Sequence, residues 1–423
     1  MRDGPLPTSV RAVFVLGIVT GVVTVASLLV RSPAMAGVNF EVYYLAAETL
    51  LGGGDLYAVA APGFPSLPYV YPPVVTVVFL PALVVGDWWV AFVLFSVGNL
   101  VAAAAVGVLA LHVAAQRGVR VSRRDQVLVV SFCAVSAQMV ASLYYGNVNP
   151  VLASILAGGV LAADRGRARV TGALFAVPAV VKVFPAAFGG YLVWRRSWRA
   201  VGAAIAVGVL AGVVSLVLFG VGPNVAWVES AVLPRGTPAA FDGGLAAGAE
   251  YLTLRRPLSL VVPDAPGWLG PLAALLVAPV VVDVFRHVDP HSDLGSLVAL
   301  YTVLAAVLVA LPSYQVYYVY LLPALVPLLV GLPAGVGRRL FVAGAALGTL
   351  SVQFPDLAAV LDGGGVLGDL VVTVAEPILT VGTPPLYGVL LTLVGCVVVA
   401  RGPAAAEPAA WGFDPVEESL RRW

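Results

Sequence analysis

Residues 171–193 read TGALFAVPAVVKVFPAAFGGYLV, an apolar run interrupted by Pro178, Pro185, Gly189 and Gly190 and carrying one charge, Lys182. Hydrocarbon offers no partner to free backbone N–H and C=O groups, so a run this long and apolar reads as a membrane helix. Its prolines break that helix, and a broken membrane helix is tolerated only where it lines a polar cavity. A charge at that depth costs about 2.5–3.5 kcal/mol on insertion scales, which makes Lys182 a functional group by default. Arg169 and Arg195 flank it at a distance that makes snorkelling difficult if the segment crosses fully. The ammonium therefore reads as a holder of a phosphate anion, with a snorkelling lysine as the competing explanation.

The rest of the chain has the same character. Hydrophobic residues make up 60% and charged residues 11%, with a mean hydropathy of +0.99; a soluble domain would carry about a quarter charged residues. The sequence is that of a polytopic membrane protein. Basic and acidic residues number 23 and 22, a net charge of +1, which leaves no basic face for nucleic acid and no acidic tail. Lys182 is the single lysine among those basic residues. Cys133 and Cys396 lie in apolar segments and imply neither a disulfide nor a cysteine metal site. Residues 10–30 are long enough to span and read as a retained first span. The small residues at 32–36 leave a cleaved signal peptide as the alternative.

Apolar segments recur at 10–30, 71–85, 88–115, 127–143, 149–163, 171–193, 199–222, 268–285, 296–311, 316–333, 338–354 and 385–401. No internal repeat accompanies them. The expected fold is all-α: a polytopic transmembrane bundle of about 10–12 apolar helices with short outer-face helices in the first loop. Residues 1–402 form one integral membrane domain in this reading, and 403–423 a short cytoplasmic tail.

Arginine placement orients the spans, because short loops rich in Arg stay in the cytoplasm. The N-terminus and the clusters at 117–124, 165–169 and 195–199 all belong inside by this rule. Twelve simple crossings place the first two clusters outside. The conflict is repaired if 71–85 and 171–193 dip into the membrane and return on the same side, which their prolines favour. Either arrangement puts residues 31–69, 223–266 and 355–383 outside.

Polar chemistry collects in those outer loops. Glu41, Tyr44, Leu45 and Glu48 recur at helical spacing, the pattern of an amphipathic helix lying on the membrane face. Glu41, beside Tyr43 and Tyr44, is a candidate general base toward an acceptor hydroxyl; a solvated helix face is the plainer account and suits Glu48 better. The second loop holds Trp227, Glu229, Arg235, Asp242, Glu250, Tyr251, Arg255 and Arg256. The two adjacent arginines read either as lipid-headgroup anchors or as ligands of a lipid phosphate. In the turn Tyr144 to Pro150, Asn147 and Asn149 suit sugar hydroxyls, although capping alone explains them equally. Tyr314 and Gln315 open a late aromatic cluster for which an interfacial belt is the commoner explanation. His287 and His291 sit among aspartates, but Pro290 breaks any helix that would align them, so no metal site is expected.

NFEVYYLAAETLLGGGDLYA (39–58), YVYPP (69–73), the stretch from Tyr145 to Ala200 and SYQVYYVYLLP (313–323) together resemble glycosyltransferase family 87. The resemblance is clearest over residues 37–200. It implies a GT-C-fold hexosyltransferase of the cell membrane that moves mannose from a polyprenyl-phosphate-linked sugar donor to a lipid or glycan acceptor on the outer face, without a further cofactor. Lys182 and Pro185 match the family's Lys-x-x-Pro element. Asn39 stands where the family pattern has a catalytic Asp, Asn147 where it has Gln, and Tyr314 and Gln315 where it has a late histidine. The implied mechanism is a single inverting displacement in which Lys182, with Arg255 or Arg256, holds the leaving phosphate and Glu41 takes the acceptor proton. Two rivals stay open: a lipid-linked-sugar transporter or flippase, and a relative that binds without catalysing because of Asn39.

Overall fold

The computed structural model describes residues 2–234, 239–361 and 365–402; the tail expected at 403–423 lies outside them. The first half comprises α1 (Thr8–Arg31), α2 (Val38–Leu51), α3 (Pro73–Thr76) with a following 3-10 segment (Val77–Val85), α4 (Trp88–Gln116), α5 (Arg123–Val135), α6 (Ala137–Tyr144), α7 (Asn149–Asp164), α8 (Ala168–Val181) and α9 (Phe188–Trp194). The second comprises α10 (Trp198–Phe219), α11 (Val221–Trp227), α12 (Arg255–Val261), α13 (Leu269–His287), α14 (Asp293–Ala310), α15 (Leu322–Gly331), α16 (Val336–Thr349), α17 (Phe354–Leu361), α18 (Gly365–Val381) and α19 (Pro384–Ala400). Five helices, α1, α4, α10, α13 and α14, are long and apolar enough to cross a membrane, and the bent pairs α5–α6, α16–α17 and α18–α19 bring the number to eight. Shorter apolar helices among the described residues are Pro73–Val85, Asn149–Asp164, Ala168–Val181 and Gln315–Gly331. The chain is a multi-pass helical membrane protein.

A series of tethers decides which ends share a face. Arg2–Gly4 pairs in parallel with Val119–Val121. Arg11 grips Asp125 at 2.7 Å and Arg117 grips Asp164 at 2.6 Å. Gly172, early in α8, abuts Ala200 at the start of α10. Trp194 stacks on Phe285 with ring centroids 4.5 Å apart, and Arg401 pairs with Asp283 at 2.7 Å. All the arginine clusters therefore lie at the same end of the bundle as the N-terminus, and strict alternation of twelve crossings is rejected. α8 leaves that end, breaks at Lys182 in extended conformation (φ −133°, ψ 119°), and the chain comes back through a 3-10 turn and α9. The segment after Tyr71 behaves likewise at the opposite end: Tyr71 bonds Tyr43 of α2, and Phe92 of α4 packs on Phe40 of the same helix.

α2 departs from expectation. Its residues Val38, Phe40, Val42, Tyr43, Tyr44, Ala46 and Ala47 are buried, so it is wedged into the bundle rather than laid on the membrane face. The amides of Gly37 and Asn39 donate to the carbonyls of Tyr144 and Tyr145 at 2.8 and 2.9 Å, which satisfies groups a helix start otherwise leaves open. A Cβ on Gly146 would meet the Cβ and amide nitrogen of Phe40 and the ring of Phe92, and its φ of +69° also favours glycine.

α16 and α19 pack against each other more extensively than any other pair of described helices. A Cβ on Gly388 would strike the carbonyl oxygen of Gly344 and the amide of Gly348. Overpacking of this kind costs about 1–3 kcal/mol. Gly388→Val is therefore expected to lower the detergent-solubilised melting temperature followed by size-exclusion fluorescence; a variant as stable as the parent would contradict this contact.

Candidate active site

A cavity of about 1390 Å³ opens at the end of the bundle away from the arginine clusters. α8 contains Pro178 and stops at Lys182, which places the lone lysine in the cavity wall. Its ammonium lies 4.5 Å from the ring centroid of Tyr317 and 5.6 Å from that of Tyr71, and it donates to Asn147 Oδ1 at 3.5 Å. Aromatic faces and an amide thus replace much of the hydration that the charge loses. Tyr71 is itself fixed by a hydroxyl contact of 2.9 Å with Tyr43. Asn147 Oδ1 also accepts from the Asn149 amide at 3.3 Å, while Asn99 donates to the Asn147 carbonyl at 3.2 Å.

The residues singled out from sequence divide into two groups. Asn39, Tyr43, Asn147, Lys182, Tyr314 and Gln315 all line the cavity. Glu41 and Tyr44 do not, and the reason is helical phase: Asn39, Val42 and Tyr43 stand on one face of α2, while two residues turn the helix by about 200°. Burial raises the pKa of Glu41, but its carboxyl is directed away from the space where an acceptor would lie. Asn149 is fully buried behind the wall, donating to Val316 O at 2.8 Å and accepting from Tyr320 at 3.0 Å. It positions the segment that carries Tyr317 rather than contacting a ligand.

Arg255 and Arg256 are corrected most sharply. Both are buried, at 5% and 0% exposure. Arg255 Nε donates to Ala310 O at 2.9 Å. The Arg256 guanidinium donates to the carbonyls of Ala246, Ala247, Ala249, Tyr251 and Leu379. A guanidinium saturated in this way cannot bind a lipid phosphate without surrendering those bonds. Near the two histidines, Asp283 pairs with Arg401, and no group of three His, Cys, Asp or Glu side chains converges among the described residues.

Sequence reasoning gave no role to two lining carboxylates. Glu250 and Asp356 come from separate outer segments, and Asp356 forms an ion pair of 2.7 Å with Arg31 at the end of α1. Burial raises the pKa of Glu250, and the neighbouring Asp356 charge adds to the rise. Gln315 reaches Ser351 beside them. Nothing local marks Glu250, since its loop reads as glycine- and alanine-rich turn.

Residues 69–312, more than half of the chain, match glycosyltransferase family 87. The polyprenol-phosphate-mannose-dependent α-(1-2)-phosphatidylinositol pentamannoside mannosyltransferase of Mycolicibacterium smegmatis is 32% identical over 176 residues. That alignment covers 40% of this chain and 40% of the relative, so the chain matches well under half of that protein's length. The crystal structure of apo ArnT from Cupriavidus metallidurans superposes with a TM-score of 0.32 at 18% identity, over 91% of this chain and 77% of that one. By the extent of its match, the chain belongs to glycosyltransferase family 87.

Proposed function

We propose that the protein moves a mannosyl group from a polyprenyl-phosphate donor to a glycolipid hydroxyl within the cavity, by one inverting displacement. The observation that carries this reading is Lys182, an ammonium held between two aromatic rings in the cavity wall at a helix break. Placed there, it compensates the charge that builds on the leaving phosphate. The acceptor oxygen attacks the anomeric carbon, the bond from that carbon to the phosphate oxygen breaks, and the electron pair departs with the polyprenyl phosphate. The cavity exceeds the roughly 300–1,000 Å³ usual for a single small ligand, which supports occupation by donor sugar and acceptor together. Val23, Ala26 and Val30 of α1 and Leu357 and Val360 of α17 give it an apolar flank, and Val30 is 81% exposed. An isoprenoid chain lies along that flank in this reading.

Asn39 on the cavity wall favours one other reading, a relative that binds the donor without catalysis, because an amide accepts no proton from a hydroxyl. The experiment that separates them uses the purified full chain in phospholipid vesicles, with radiolabelled mannosyl polyprenyl phosphate and phosphatidylinositol mannosides. Label is expected to pass to the acceptor; donor left intact after long incubation would establish binding alone.

The arginine-rich end faces the cytoplasm in this proposal, and the cavity faces outward across the cell membrane. Arg120 is exposed, while Cys133 and Cys396 are buried. Arg120→Cys in intact cells should therefore resist an impermeant maleimide and react once the membrane is opened. Labelling from outside would reverse the orientation.

A further inference from the structure

A single displacement requires a base opposite the leaving phosphate, and neither Asn39 nor Glu41 supplies one. Among the described residues that line the cavity, the carboxylates are Glu250 and Asp356. Asp356 is engaged by Arg31 at 2.7 Å, so an acceptor hydroxyl would have to displace the guanidinium to reach it. Glu250 accepts no hydrogen bond or ion pair from any described residue, and its side chain is accessible from the cavity. The geometry points to Glu250 as the general base that takes the acceptor's proton, an inference that rests on the transferase reading of the same cavity.

The backbone on both sides of Glu250 is held in place. Arg256 holds the carbonyls on either side of it, Ala249 at 2.9 Å and Tyr251 at 3.5 Å. Tyr251 forms an antiparallel bridge with Tyr314, their rings 4.6 Å apart, and Leu252 N donates to Ser313 O at 2.8 Å. Tyr314 lies 6.1 Å from Tyr317, over which the Lys182 ammonium sits at 4.5 Å. One row of aromatic rings therefore joins the cation to the carboxylate along a cavity wall. In-line attack places the acceptor oxygen about 3 Å from the anomeric carbon and within about 3 Å of its base. In this proposal the sugar and its acceptor lie between the two ends of the row, in the order Lys182, phosphate, anomeric carbon, acceptor oxygen, Glu250.

In the reaction the acceptor proton passes to a Glu250 oxygen as the new C–O bond forms, and the phosphate leaves with the electron pair of the bond it loses. The proton then exchanges with water in the cavity. The groups that face Glu250 are Asp356 of α17, the Arg31 that pairs with it, Tyr145 of the α6–α7 turn, and Tyr314. Burial pushes the Tyr145 hydroxyl up to about 12 and that of Tyr314 higher, so neither competes as a base near neutral pH. Glu250 works ionised, and burial together with Asp356 raises its pKa; transfer should therefore rise with pH through that raised value.

The test uses the full chain in vesicles with mannosyl polyprenyl phosphate and phosphatidylinositol pentamannoside. Glu250→Gln should lower kcat by about 10²–10⁴-fold with the KM for donor little changed. Asp356→Asn removes a negative neighbour and leaves Arg31 uncompensated, so it should move the acidic limb of the pH profile to lower pH. Arg31→Gln leaves Asp356 uncompensated and should move it to higher pH. These opposite shifts test the base even if Glu250→Gln fails to fold. A Glu250→Gln protein that keeps more than a tenth of kcat, or a limb unmoved by both neighbours, overturns the proposal. If the parent transfers mannose and Lys182→Ala abolishes it while Glu250→Gln does not, only the base is wrong; a parent that leaves the donor intact overturns both readings.

Discussion

Lys182→Ala is expected to lower kcat/KM for mannosyl transfer by about 10²–10³-fold, the usual effect of removing one preorganised group that stabilises developing negative charge. The other cation on the cavity wall among the described residues, Arg31, is committed to Asp356. No second charge stands ready to replace the ammonium. The substitution should spare the fold, because Lys182 is only partly buried and Asn147 Oδ1 keeps its bond from the Asn149 amide. Lys182→Arg should recover part of the loss, since a planar guanidinium keeps the charge but does not fit the gap between Tyr71 and Tyr317 as a compact ammonium does. Initial-rate measurements at saturating acceptor check this. Transfer undiminished in the alanine variant would remove the donor phosphate from Lys182.

Arg256→Met is expected to destabilise the protein by about 3–5 kcal/mol, the range found when one partner of a buried charged network is taken away. The guanidinium is fully buried and draws five carbonyls together from the loop 246–251 and from α18. Each carbonyl left without a donor in an enclosed site costs about 1–3 kcal/mol before the loop relaxes. Relaxation limits the sum, and it also releases the segment that carries Glu250. Arg256→Lys should help little, because one ammonium has three donors and no planar fan with which to reach acceptors on two elements. Thermal unfolding in detergent and limited proteolysis across the loop provide the measurement; parental stability and cleavage in the methionine variant would refute this role.

The division of labour between sequence and packing is visible in these same residues. Membrane character and helical class were legible, and the return of residues 171–193 to their own side was one of two arrangements left open, because apolar length, proline and arginines at segment ends are local properties. The tethers Arg11–Asp125 and Arg117–Asp164 then agree with the orientation that the arginines alone required. Lys182 was legible for a related reason, since a charge inside hydrocarbon is costly wherever its neighbours lie. Glu41 was misassigned because proximity along a helix is not proximity in space: Asn39 faces the cavity and the residue two places on does not.

Arginine pairs in an outer loop look alike whether they bind phosphate or organise backbone. Only the five carbonyls around Arg256 distinguish the second role from the first. Glu250 and Asp356 carried no local signal, and their meeting depends on Tyr251 pairing with Tyr314 and on Arg31 reaching Asp356 across the cavity mouth. The sequence by itself determined a helical membrane protein with one lysine at a broken helix, because solvation by lipid constrains each segment separately. Tertiary structure alone decided which carboxylates line the cavity that holds that lysine, because the direction of a side chain is set by helix phase and by contacts between segments remote in the chain.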